Sequence, residues 1–317
     1  MTAVKRNAPK RAASSDSTYS LMEFMAEFPD DATCLEWLWR RNFSTDGQHA
    51  TCLKCERERR FHRVASRPSW SCDTCGHHLH PTAGTIFHKS STSLHVWFHA
   101  VFLMSNTRCG VSAKHLEREL GVTYKTAWRM ANLIRTKLMA QDETPLEGDV
   151  EADETYVGGK PRLKDQPRKA DGTLAKGRSG KAKATVFGAV ERGGRVRAEV
   201  VPKDDAGGIP RRVNEFVLPA STLFTDEYVG YNRPGQNFAA HYRIRHAARI
   251  YVDGNVHTQT IDGFWGLVKN GLRGTYHAVS TKYLQTYLNE YAWRYNHRDD
   301  RHPMFLTLLG LAGLPAR

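Results

Sequence analysis

No stretch of this chain is long and apolar enough to cross a bilayer. The most apolar run, Val96 to Met104, is interrupted by His99 and falls well short of the roughly 20 residues a helical span needs. The N-terminal residues are basic and rich in Ser and Ala, with no apolar core of the kind a secretory signal carries. A cytoplasmic protein without a membrane partner is therefore expected. Cysteine is sparse: six among 317 residues do not suggest a disulfide framework, and their spacing suggests another use. Acid is scarce relative to base. There are 33 Asp and Glu against 46 Lys and Arg, for a formal net charge of +13. That imbalance favours nucleic acid over acidic small molecules, because neutralising phosphates releases counterions.

The length allows two or three domains and at least one substantial core. Four of the cysteines form two C-x2-C pairs, Cys52/Cys55 and Cys72/Cys75, separated by residues 56–71. Each short turn can deliver two thiolates to one tetrahedral zinc ion. Phe61, Val64 and Trp70 between them sit at strand-like positions, so the expectation is a zinc ribbon with one structural Zn²⁺. With all four positions filled, none is open for water. His77, His78 and His80 crowd the second pair as polar surface groups or alternative ligands. Cys34 and Cys109 are expected to pack as small apolar residues.

Along the chain, residues 1–19 read as a disordered basic arm. Residues 20–42 form an amphipathic helical lead-in broken by Pro29, and with the ribbon they make up a region spanning 20–90. Leu94, Trp97, Phe98, Val101 and Phe102 then mark a buried helical stripe. In 110–130, Ser112 caps a short helix with Leu116 and Leu120 inward. Gly121 supplies a turn, and Thr123 caps a second helix carrying Ala127 and Met130. This is a helix-turn-helix pattern, assigned to a DNA-binding region over 91–145. Tyr124, Lys125, Thr126 and Arg129 near the start of the second helix are candidate DNA contacts. A packed helix pair without a DNA role gives the same pattern.

From residue 146 the periodicity changes. Val150, Ala152 and Tyr156 alternate with Glu151, Asp153 and Thr155, which is a strand. Residues 158–183 hold nine basic and two acidic residues and read as a basic loop (159–183). Strands follow at 185–190 and 196–201, joined by Gly193-Gly194. A helix over 207–216, a strand over 221–225, a fifth strand over 249–252 and helices over 258–272 and 280–296 complete the pattern. Tyr283, Tyr287, Tyr291 and Tyr295 on the last helix read as core. This order matches an RNase H-like α/β sheet over 146–317, a mixed sheet flanked by helices.

In such a sheet the first strand and the end of the fourth run side by side. Asp153 and Asp226 would meet at one rim, and the helix near Thr258 would bring in Asp262. Converging carboxylates are how proteins hold paired magnesium ions against a phosphodiester. Each residue has a plainer reading: a wet edge strand for Asp153, a turn for Asp226, a favourable first-turn charge for Asp262. The joint pattern favours catalysis. Glu154 and Glu227, on opposite faces from their neighbours, are left out of the site.

The chain resembles insertion-sequence transposases that carry an N-terminal zinc ribbon and helix-turn-helix ahead of a DDE-type RNase H-like domain. The matching residues are the two cysteine pairs, Ala152 to Gly159, Thr225-Asp226, His257 to Lys269, and Trp293 to Arg298. Asp262 stands where that family has Glu or Asn. The resemblance implies a catalytic trio of Asp153, Asp226 and Asp262 holding two Mg²⁺ (or Mn²⁺) ions, with Lys269 and Arg273 near DNA phosphate. It further implies binding to terminal inverted repeats, phosphodiester cleavage, joining of the 3′-OH ends to target DNA, and a homodimer or higher oligomer on DNA. A structure-selective nuclease or resolvase on the same fold, and a non-catalytic DNA-binding regulator, are the alternatives.

Overall fold

The structure, a computed structural model, describes residues 19–158, 183–202, 205, 207–244 and 255–313. The basic arm expected over 1–19, apart from Tyr19, and the basic loop expected from 159 to 182 lie outside the described residues. Two compact units are present. One gathers the described residues up to Thr107, Ala113–Leu138 and those from His297 onward; the other holds Arg108–Ser112 and Met139–Asn296.

The first unit opens with α1 (Leu21–Glu27) and α2 (Asp31–Asn42), separated at Pro29, which cannot continue a helix. Ser20 and Glu23 form a capping box at α1, each side chain accepting the other's backbone N–H. Asp30 caps α2 by accepting from the Thr33 N–H. Four antiparallel strands in chain order follow: β1 (His49–Cys52), β2 (Arg57–Val64), β3 (Ser69–Cys72) and β4 (His78–Leu79). Trp39 of α2 lies flat on Trp70 of β3, ring centroids 4.7 Å apart and 5° from parallel. Leu35, Phe61 and Leu79 close this small core.

Next, α3 (Leu94–Asn106) buries Trp97, Phe98, Val101 and Phe102, the expected stripe. The helices α4 (Ala113–Leu120) and α5 (Tyr124–Leu133) meet at a tight turn. Gly121 there has φ +63°, a conformation that favours glycine. Thr123 caps α5, its hydroxyl accepting from the Thr126 N–H.

The second unit is built on a five-stranded mixed sheet. Its strands are β5 (Asp149–Val157), β6 (Ala184–Glu191), β7 (Val196–Val201), β8 (Thr222–Thr225) and β9 (Ala240–Arg243), ordered β7-β6-β5-β8-β9. β5, β6 and β7 pair antiparallel; β5–β8 and β8–β9 pair parallel. Between β7 and β8 runs α6 (Gly208–Phe216). After β9 come α7 (Gln259–Gly271) and α8 (Thr281–Asn296). One sheet face packs Val186, Val190, Val196 and Ala198 against Phe264, Trp265 and Val268 of α7 and Leu284 and Leu288 of α8. The other packs Val150, Ala152, Phe187 and Leu223 against Val213 and Phe216 of α6. A last helix, α9 (Met304–Ala312), belongs to the first unit and buries Phe305, Leu308 and Leu309.

Several expectations change here. The strand expected over 249–252 lies outside the described residues; among the described residues of this unit the fifth strand is Ala240–Arg243, which was not expected. The tyrosine stripe of α8 is only partly core. Tyr291 is buried, Tyr287 and Tyr295 pack at the margin, and Leu284 and Leu288 hold the centre. Cys34 is buried as expected, but Cys109 is exposed, because it lies in the short segment between α3 and α4. No helix among the described residues is long and apolar enough to cross a membrane.

Candidate active site and metal centre

The rim of the mixed sheet gathers acid. β5 sits at its middle, and its parallel register with β8 pairs Asp149 with Thr222, Val150 with Leu223 and Glu151 with Phe224. The same offset carried two residues further, past the last pair and the end of β8, would place Asp153 opposite Asp226. α7 docks on the Asp153 face of the sheet. The Trp265 indole N–H donates to Asp153 Oδ2 at 3.0 Å. Gly188, the antiparallel partner of Asp153, leaves room for that ring, since a Cβ there would come within 2.6 Å of it. Asp262 precedes Trp265 by three residues, so both lie on neighbouring positions of one helix side.

Electrostatics register this convergence. Burial, and then the charges of Glu154, Asp262 and Asp226, push the Asp153 carboxyl up to about 8, against the opposing hydrogen bond from Trp265. Asp226 Oδ1 accepts from the Tyr228 N–H at 2.9 Å. Glu154 faces the opposite side of the strand, where the Tyr231 hydroxyl donates to it at 2.6 Å. Burial raises its pKa, as does the charge of Asp226, with the Tyr231 bond pulling the other way. Among the described residues, the four cysteines are the only group of three or more potential ligands whose atoms all lie within 4.8 Å of one another. The aspartates thus share a rim without closing to that spacing. Lys269 is half-buried on α7, and Arg273 is exposed in the wide π-turn Leu272–Tyr276 that follows it.

A neighbouring carboxylate escaped attention in the sequence. Glu151 lies two residues before Asp153, on the same face of β5, and is completely buried. Its Oε2 accepts from the backbone N–H groups of Thr260 (2.8 Å) and Ile261 (3.1 Å), at the start of α7. Its Oε1 accepts from the Thr260 hydroxyl at 3.0 Å and from Arg192 Nε at 2.8 Å. His257 Nδ1 lies 3.1 Å from the same oxygen, outside hydrogen-bond alignment. An acidic residue in register with Asp153 is the one signal that could have drawn attention to Glu151. Nothing in the sequence marks Trp265 as more than a core aromatic.

In the first unit, the β1–β2 and β3–β4 turns bring Cys52, Cys55, Cys72 and Cys75 together, with Sγ of Cys52 and Cys75 3.5 Å apart. A tetrahedron with Zn–S near 2.3 Å has sulfurs about 3.8 Å apart, so the set fits a zinc ion. The thiols titrate as one set. At Cys52 burial is outweighed by the backbone N–H groups of Cys55 and Lys54 and the neighbouring thiols, which lower it. At Cys75 the His77 backbone N–H is outweighed by burial and the three neighbouring thiols, which raise it. Four thiolates need a cation to coexist at this spacing. His78 is engaged elsewhere, its Nδ1 3.2 Å from the Ser69 hydroxyl. On α5, Tyr124, Lys125 and Arg129 are exposed, while the Thr126 hydroxyl lies 3.1 Å from that of the cap residue Thr123.

One unit thus carries an acidic rim on an α/β sheet, and the other a four-cysteine cluster. Residues 145–296 match the family described as the ISXO2-like transposase domain. An uncharacterized protein in transposable element ISH50 of Halobacterium salinarum is 31% identical over 241 residues, covering 74% of this chain and 79% of that one. An uncharacterized transposase-like protein of Haemophilus influenzae is 25% identical over 105 residues, covering 33% of this chain and 84% of its own length. The chain belongs to the insertion-sequence transposases of the DDE type. DNA breakage and strand transfer are the general chemistry of that family, and DNA is the partner it implies.

Proposed function

We propose that this chain binds the terminal inverted repeats of an insertion sequence, cleaves phosphodiester bonds there and joins the freed 3′-OH ends to target DNA. The supporting observation is the β5–β8 register, whose offset carried beyond its last pair, Glu151–Phe224, would set Asp153 opposite Asp226, together with the raised Asp153 pKa to which Asp262 and Asp226 contribute. Asp153, Asp226 and Asp262 would hold the two divalent ions, Mg²⁺ or Mn²⁺. Bound there, the ions would lower the pKa of the attacking hydroxyl and stabilise charge on the leaving oxygen. The residues themselves have simpler tasks. The Trp265 N–H orients one oxygen of Asp153, Tyr231 keeps Glu154 turned to the far face, and the Tyr228 N–H fixes Asp226. Lys269 and Arg273 would approach phosphates beside the cut.

In this reading the sheet of the second unit, with α6, α7 and α8, forms the RNase H-like catalytic domain expected over 146–317, although the residues from His297 onward group with the first unit. The four cysteines hold a structural zinc in a ribbon within 20–90. α4 and α5 act as the helix-turn-helix of a DNA-binding region over 91–145, with Tyr124, Lys125, Thr126 and Arg129 facing the end sequence. Pairing two ends requires a homodimer or higher oligomer on DNA, and the reaction belongs in the cytoplasm with the nucleoid. The test is a cleavage and strand-transfer assay with labelled end DNA and a supercoiled target in Mg²⁺. The wild type should form joined products. Asp153→Ala should retain end binding and lose both steps by several orders of magnitude, since catalytic metal ligands supply much of the barrier reduction. Full activity of Asp153→Ala refutes the site, and cleavage without joining by the wild type points to a structure-selective nuclease.

A further inference from the structure

We propose that Glu151 and Arg192 are positioning residues: a buried charged clamp that fixes where α7 begins and thereby holds Asp262 in place relative to Asp153 and Asp226. The inference rests on the reading of those three aspartates as the catalytic carboxylates. Two residues before Asp153 on the same face of β5, Glu151 is placed where a further metal ligand could stand. The structure gives it other work. A carboxylate offers about four lone-pair sites. Those of Glu151 receive the Thr260 and Ile261 N–H groups, the Thr260 hydroxyl and Arg192 Nε. None is left for an ion.

The first N–H groups of a helix have no partner within it. In α7, Thr258 at the N-cap makes no side-chain cap bond. Glu151, from a strand far away in sequence, accepts the N–H groups of the first turn instead, and its charge matches the positive end of the helix. Burying such a charge is costly unless it is paired and fully hydrogen-bonded, and here it is both. The arrangement allows α7 one starting point on β5, because a slide of one residue would leave a buried carboxylate short of donors.

Arg192 extends the clamp to the other elements. Its own N–H donates to Asp149 O at 2.9 Å, at the start of β5. Its guanidinium donates to Asn255 O (2.8 Å), Asn255 Oδ1 (3.0 Å) and His257 O (2.9 Å), on the chain leading into α7. The same guanidinium stacks on Phe224 of β8 at 3.8 Å from the ring centroid. One side chain therefore touches β5, β8 and the lead-in to α7, the three segments that carry or lead to Asp153, Asp226 and Asp262. Asp262 itself is exposed to solvent, so its position depends on how α7 is seated.

The experiment uses the full-length protein and Mn²⁺ as the probe. End-DNA cleavage is titrated with Mn²⁺, with end binding and thermal melting followed in parallel, for Arg192→Lys, Glu151→Gln, Asp262→Ala and Asp153→Ala. Arg192→Lys keeps the charge but not the fork that reaches Asn255 and His257. It should preserve end binding and raise the Mn²⁺ half-saturation about tenfold or more, the range for groups that orient metal ligands. Mn²⁺ binding followed by electron paramagnetic resonance should show that Asp262→Ala and Arg192→Lys weaken the same site, and that the double variant is no weaker than Asp262→Ala alone. Lower melting with unchanged Mn²⁺ affinity in Arg192→Lys overturns the inference and leaves Arg192 a purely structural residue. Loss of Mn²⁺ binding in Glu151→Gln with no change in Arg192→Lys also overturns it, since Glu151 would then be a ligand. If Glu151→Gln does not fold, Arg192→Lys decides alone. Asp153→Ala separates the two failures: if it still binds Mn²⁺ and cleaves, the site reading falls; if it loses both while Arg192→Lys is unaffected, only the clamp falls.

Discussion

At the scale of single residues, Asp153 carries the electrostatic tension of the rim. Its carboxyl is shifted from an ordinary 3.8 to about 8, by burial and by the charges of Glu154, Asp262 and Asp226. A raised carboxylate pKa means that the folded protein binds more protons than the unfolded chain between those two values. Stability should therefore be greatest near the acid end of that window and fall as pH rises through it. In chelator, the melting temperature should drop between pH 5 and about pH 8, and Asp153→Asn should flatten the drop. Adding Mg²⁺ should flatten it too, by compensating the charge. A pH-independent melting temperature for the metal-free wild type would contradict this picture. The aspartates themselves stood out in the sequence only jointly, one within a strand, one just after a strand end and one in a helix's first turn. Their supports did not. Glu151, Trp265 and Arg192 act through contacts between residues 41 to 112 positions apart in the chain, and no local pattern encodes such pairs.

Among secondary-structure elements, the sheet of the second unit shows how an edge is closed without another strand. The outward N–H groups of β7 are taken by amide side chains. Asn296 accepts from Val196 at 2.7 Å, Gln141 from Ala198 at 2.7 Å and Gln285 from Val200 at 2.9 Å. Asn296 and Gln141 also donate back to the carbonyls of the same two strand residues. An open edge invites pairing with another chain, and this ladder of amides removes the invitation. Gln141→Ala should leave the Ala198 N–H without its partner, while the carbonyl keeps its bond from Gln285, and cost about 1–3 kcal/mol in urea unfolding. The same variant should self-associate more strongly in sedimentation; unchanged stability and association would show that water replaces the amide at no cost. Most strands and helices could be read in advance, because period-two and period-3.6 patterns are local. The ladder could not, since Asn and Gln look alike whether they face solvent or cap a strand. β9 was also missed: residues 240–243 offer no run of apolar alternation and pair only through β8.

For the molecule as a whole, a +13 charge and a four-cysteine cluster divide the labour between attraction and folding. The core beneath the cluster is small: Leu35, Trp39, Phe61, Trp70 and Leu79. Sheets of this size draw much of their stability from bound metal. One zinc per chain should be found by elemental analysis. Cys52→Ser, or removal of zinc by a strong chelator, should unfold β1–β4 and reduce end-DNA binding. A zinc-free protein with native circular dichroism and undiminished end binding would remove the ion from the account. The cysteine spacing made this centre the most legible feature of the sequence, because four ligands in two short turns carry their geometry with them. The acidic rim needed the whole sheet, and only its strand order brings residues 153 and 226 together.

The most direct test is diffraction from crystals of the protein with end DNA, grown with Mn²⁺ and measured at the manganese edge. Anomalous peaks are expected within coordination distance of Asp153 and Asp226, with Asp262 lining the same site. Peaks held by other residues, or none at this rim while the crystals bind manganese elsewhere, would contradict it.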